Sequence, residues 1–96
     1  MTVRKRVVIC GGHPSWLTAM RKMVDGNIKY IESERFDVSV LRNADMVLCQ
    51  NNAISHKAFY RVVNECRRRD IPLRYFASAS ATKCVEQMKS YGLLGG

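Results

Sequence analysis

The chain alternates between two hydrophobic periods. Residues 6–10, RVVIC, are apolar and mostly β-branched at consecutive positions, as in a strand covered on both faces. From Pro14 the spacing lengthens, and Trp16, Leu17, Met20, Met23 and Val24 fall on one side of a helix. Proline fits the first helical turn, and Gly26 fits the stop after it. Residues 27–32, NIKYIE, are a second predicted strand. Residues 36–44, FDVSVLRNA, read as a short helix or irregular crossover with Asp37 as its N-cap. Residues 45–50, DMVLCQ, are the third strand. Ile54, Ala58, Val62 and Cys66 then recur every four residues, widened by Phe59 and Val63, in a helix whose last turn is Arg67, Arg68 and Arg69. Residues 72–77, PLRYFA, are a fourth strand that starts at a proline, as edge strands tolerate. A last helix from Ala81 to Tyr91 turns Cys84, Val85, Met88 and Tyr91 inward, between a Ser80 cap and a Gly92 stop.

Four strands alternating with helices predict β-α-β crossovers, and hence an α/β fold. The expected architecture is a single domain over residues 1–96: a small three-layer sandwich around a four-stranded, mostly parallel sheet. Its strand order is expected to be 2-1-3-4, in the flavodoxin-like or Rossmann-like manner. Sheets of this kind bind ligands beyond the carboxyl ends of their strands, where the winding reverses. Here that point lies between strands 1 and 3.

Three polar loops are expected at that edge. Cys10, Gly11, Gly12, His13, Pro14 and Ser15 follow strand 1; Gln50, Asn51, Asn52, Ser55, His56 and Lys57 follow strand 3; Ser78, Ser80 and Lys83 follow strand 4. Glycines at a strand end let backbone N–H groups face outward, and a helix N-terminus adds partial positive charge, which together favour a phosphate or carboxylate. The expected ligand-binding residues are therefore Gly11, Gly12, His13, Ser15, Asn51, Asn52, Ser55, His56, Ser78 and Ser80. A plainer reading stands beside this one: Gly11 and Gly12 supply positive φ to a tight turn, and Ser15 helps to cap the helix. GGHPS matches neither the dinucleotide fingerprint nor a P-loop.

Cys10, His13, Cys49 and His56 are the residues that would hold a metal, but their spacing matches no named zinc class, and no metal is expected. Cys10 could serve as a nucleophile in a phosphocarrier, its thiol activated by the glycine turn and helix N-terminus. Small tyrosine phosphatases need an arginine six residues after such a cysteine, and here that position is Trp16. Trp16 itself reads as core or as a ligand wall. The carboxylates are scattered; only Glu32 lies near the expected crevice, and no acid–base couple is visible. Binding is thus expected rather than catalysis.

The apolar fraction of 47% and charged fraction of 25% are those of ordinary globular proteins. No apolar run is long enough to span a bilayer, and MTVRKR has no apolar segment behind its charges, so a cytoplasmic protein without membrane contact is expected. The four cysteines are too widely spaced for a disulfide framework and read as small buried hydrophobes. The net charge of +8 raises nucleic acid as a partner. Arg4, Lys5, Arg6, Arg21, Lys22, Arg67, Arg68, Arg69 and Arg74 should gather at strand starts and helix ends, opposite the crevice. That basic edge is the alternative seat of function, as a nucleic-acid or protein interaction surface. The sheet's free edges allow a homodimer.

The segments GGHPSW, LRNADMVLCQNNAISH and YFASASATKC resemble a bacterial and phage family, domain of unknown function 2325. Its features here are Gly11 and Gly12 at a strand end, the strand entry Ala44-Asp45-Met46-Val47, and Ser55-His56. The resemblance covers nearly the whole chain and implies a compact α/β fold, with no activity attached. Many relatives have a threonine–aspartate pair before the Ser-His; QNNAISH lacks that carboxylate, which weakens any metal or acid–base role taken from them.

Overall fold

The computed structural model describes residues 1–50 and 54–95. Strands β1 (Thr2–Cys10), β2 (Asp25–Ile31), β3 (Met46–Cys49) and β4 (Leu73–Tyr75) form a parallel sheet in the order β2-β1-β3-β4. A short β5 (Leu94–Gly95) runs antiparallel to the start of β1. Helices α1 (Pro14–Met23), α2 (His56–Arg69) and α3 (Ala81–Ser90) and a 3-10 turn at Val38–Leu41 make the connections. The α/β class and the strand order are those expected from the alternation of periods.

The pleat of β1 explains the layering, because successive side chains of a strand point to opposite faces. Val7 and Ile9 face α1 and α3, where they are buried with Trp16, Leu17, Met20, Val85 and Met88. Val8 and Cys10 face the other way, under Val62 and Cys66 of α2 and Leu41 of the 3-10 turn. Each such aliphatic side chain contributes about 1.5–3 kcal/mol on burial. Asp37 caps the 3-10 turn as expected, its Oδ1 accepting the Ser39 N–H at 2.9 Å.

Four details depart from the sequence reading. β1 begins at Thr2 rather than Arg6, because Val3 is buried and pairs with Gly26 on one side and Leu94 on the other. Gly26 does not stop α1; it lies inside β2 at φ +95, where a β-carbon would meet the Val3 carbonyl at 2.7 Å. The positive φ coincides with a register shift between Val3 and Val7. The tail adds the fifth strand, anchored by buried Leu93, whose carbonyl accepts the Arg4 N–H at 2.9 Å. Tyr91 is exposed rather than core, its hydroxyl accepting from Gln87 Nε2 at 2.9 Å.

Candidate ligand site at the carboxyl edge of the sheet

β1 ends at Cys10, in register with Ile31 of β2 and Cys49 of β3. Gly11 and Gly12 follow at φ +86 and +116, a region that favours glycine. The Gly11 N–H donates to the Ile31 carbonyl at 3.1 Å, adding one rung to the sheet, so this amide is not free for a ligand. Gly12 packs against Trp16, where a β-carbon would lie 2.4 Å from Cε3. Trp16 is core: it is buried and meets Phe76 edge-on at 5.4 Å.

His13 is the extended N-cap of α1, and Pro14 is the first helical residue. No side chain caps this end, so Ser15 stands exposed in the first turn without the capping role expected of it. The first-turn amides have no intrahelical partners, and the helix dipole adds partial positive charge there. Among the described residues, neither the Gly12 nor the His13 amide donates a hydrogen bond.

Beside this turn lies a crevice of about 160 Å³, lined by Gly11, by Ile31, Glu32, Ser33 and Glu34 after β2, and by Ile54, Ser55 and Ala58 at the start of α2. It brings Gly11 and Ser55 together, as expected. Ser55 also caps α2, its Oγ accepting the Ala58 N–H at 3.2 Å. The Glu32 carboxylate is held by Arg21 at 2.7 Å, and that guanidinium lies 4.6 Å from the centre of the Tyr30 ring. Arg21 therefore leaves the basic edge to which its sequence position assigned it. Burial pushes the Tyr30 phenol up, with Arg21 acting the other way.

The far wall is fixed by Arg61 of α2. Its guanidinium donates to the carbonyls of Glu34 at 2.8 Å and Phe36 at 2.9 Å, and covers the Phe36 ring at 4.3 Å. Sequence reasoning missed Arg61, Ser33 and Glu34. They join across more than twenty residues, and no local period marks such a contact.

His56 opens α2 on a different hollow of about 390 Å³, shared with Ile54, Phe59, Tyr60 and Tyr75. Its ring stacks on Tyr60 at 6.3 Å. The Gly11–Ser55 crevice is lined by neither histidine. Ser78 and Ser80 serve local structure: Ser80 Oγ caps α3, and Ser78 Oγ accepts the Ser80 N–H at 3.0 Å. Buried Gln50 donates to the Ser78 carbonyl at 3.0 Å and so ties β3 to the loop after β4. Asn51 and Asn52 lie outside the described residues.

All four cysteines are buried and free. Cys10 and Cys49 share an apolar layer with Cys66 of α2, whereas Cys84 of α3 is buried in the layer on the other face of the sheet. The hydrogen bond shared with Cys49, reinforced by burial, pushes the Cys10 thiol far above its ordinary range. Burial raises Cys66 to about 11. Cys84 is raised by burial too, against the opposing effects of Trp16 and Gln50. Cys10 is thus a protonated core residue facing α2, which removes the basis for a nucleophile. Among the described residues no group of three or more His, Cys, Asp or Glu side chains could hold a metal, so Cys10, His13, Cys49 and His56 do not assemble. The cysteines point inward while both histidines are exposed.

At the opposite edge, Arg6, Lys29 and Arg42 line a hollow of about 350 Å³ with Asn27. Arg68 and Arg69 both bond Glu65, each at 2.8 Å. These bonds pull the Glu65 carboxyl down to about 2. Among the described residues no helix is long and apolar enough to cross a membrane.

A parallel α/β sheet with a glycine turn running into an uncapped helix at its carboxyl edge is the class of protein that these features define. The chain belongs to the family of uncharacterized proteins conserved in bacteria called domain of unknown function 2325, whose model matches residues 6–91. No curated protein and no solved structure matches it.

Proposed function

We propose that the protein binds a small anionic metabolite, such as a phosphorylated sugar or nucleotide, at the carboxyl edge of the sheet. The observation that carries this reading is the glycine turn, which leads the Gly12 and His13 amides to the uncapped start of α1 beside the crevice. Backbone amides and the helix dipole together suit an anion. The crevice, at about 160 Å³, is smaller than the roughly 300 Å³ of whole-ligand pockets, so it suits one sugar-sized group while the anion sits outside it. Glu32, at the end of β2, stands where related folds place an acceptor for ribose hydroxyls.

The test is titration of 15N-labelled protein with inorganic phosphate, ribose 5-phosphate and AMP. The expected result is saturable movement of the Gly12, His13 and Ser33 amide signals, stronger for the two sugar phosphates than for phosphate alone. A Ser33→Phe protein, with the crevice filled, should keep the phosphate response and lose the sugar preference. Absence of movement at Gly12 and His13 with all three probes at millimolar concentration would overturn the reading.

A further inference from the structure

The outer face of α2 interleaves aromatic and basic residues. His56, Lys57, Tyr60, Asn64, Arg67 and Arg68 are exposed there, following the helical repeat from one end to the other, while Arg61 between them is turned to the Glu34 and Phe36 carbonyls. The helix carries five cations against the single carboxylate of Glu65. That carboxylate is half-buried and turned onto Arg68 and Arg69, so it does not neutralise the Lys57 end.

At that end the aromatic rings gather. Tyr60 is 60% exposed and Tyr75 of β4 is 45% exposed, far more than a packing role requires. Phe59 joins them, 5.8 Å from the Tyr60 ring and 6.1 Å from the Tyr75 ring, and His56 stacks on Tyr60. These side chains, with Ile54, line the open hollow of about 390 Å³. β4 is an edge strand, so among the described residues no further strand covers that side.

We propose that this face binds single-stranded nucleic acid: bases stack in the Tyr60–Tyr75 hollow, and the phosphates run along α2 past Lys57 toward Arg67. Exposed rings beside a track of cations are the two elements of such sites, because every base offers a π-face and every nucleotide a charge. A second copy of this chain fits the face less well, since its own +8 charge would repel it. Duplex DNA offers phosphates but no unstacked base for the hollow. Stacking and phosphate contact ask for no 2′-hydroxyl, so a DNA strand is a fair probe.

The experiment is fluorescence anisotropy of labelled (dT)15 with the full chain at 50 and 200 mM salt. With about three phosphates neutralised, affinity should fall roughly 20-fold between the two salt concentrations. Tyr60→Ala, at an exposed position, should weaken binding about tenfold while circular dichroism and melting stay unchanged. Lys57→Gln with Arg67→Gln should flatten the salt dependence. Arg42→Gln, in the hollow on the opposite edge, should change little. The proposal is overturned if (dT)15 does not bind at 100 µM protein, if a duplex of equal length binds as tightly, or if Arg42→Gln abolishes binding while Tyr60→Ala does not. These residues lie outside the glycine turn, so either proposal can fail without the other.

Discussion

Gly12 and Trp16 are in such close contact that a single β-carbon on Gly12 would come within 2.4 Å of the indole Cε3. The turn after β1 and the core under α1 are therefore one unit. Gly12 also has φ +116, so a substitution there meets both backbone strain and a blocked position. Gly12→Ala should cost about 2–4 kcal/mol from these two effects. In a chain of this size that lowers the melting temperature by roughly 10–25 °C. In a Trp16→Leu background the Gly12→Ala loss should be smaller, so that the double variant loses less than the sum of the two single effects. Strictly additive losses in thermal melts would show that the indole does not limit this site.

The buried thiols set a second expectation. Cys10, Cys49, Cys66 and Cys84 are all buried, and burial raises the Cys66 and Cys84 thiols. The hydrogen bond between Cys10 and Cys49 raises Cys10 while lowering Cys49, which burial alone keeps from reagent. A disulfide reagent at pH 8 should label none of the four over several minutes in the native protein, and all four in guanidinium. Rapid labelling of Cys10 in the native protein would restore it as a candidate nucleophile.

Arg61 reaches over to hold the segment between β2 and the 3-10 turn through the Glu34 and Phe36 carbonyls. Arg61→Ala removes two charge-assisted hydrogen bonds and a cation–π contact at a partly solvated site, a loss of about 1–2 kcal/mol. Amide exchange should accelerate around residues 33–37 well before it does in β1 and β3. Uniform acceleration across the sheet would mean that Arg61 acts on global stability instead.

The acid limb of the stability curve should depend on Glu65. Its folded-state pKa of about 2 lies below the ordinary 4.5, chiefly through the hydrogen bonds from Arg68 and Arg69. A depressed carboxyl stabilises the fold above its unfolded pKa and loses that contribution as pH falls through the folded value. Stability should thus drop between pH 4.5 and 2. Asp37, lowered by its bond from the Ser39 amide, acts with the same sign. Glu65→Gln should flatten that limb in urea titrations between pH 5 and pH 2, and an unchanged slope would assign it to other groups.

The sequence by itself determined the α/β class, the order of the main sheet and the caps at Asp37 and Ser80. The strand order follows from the repeated strand–helix–strand crossover. The class and the caps follow from local rules: short consecutive apolar runs set against a period of nearly four residues, and a side-chain oxygen one turn before a free amide. Gly11 and Gly12 were legible as a turn for the same reason. Only the tertiary structure decided what each loop residue faces. Cys10 and Cys49 turn inward because the pleat of their strands leaves them under α2, and His13 and His56 start helices on separate hollows. Arg21 was drawn to Glu32, and Arg61 to carbonyls more than twenty residues away. The aromatic group at Tyr60 and Tyr75 forms only when β4 is laid beside β3 and α2 packs over the sheet. Such contacts depend on chain crossings in space, to which hydrophobic periods along the chain are blind.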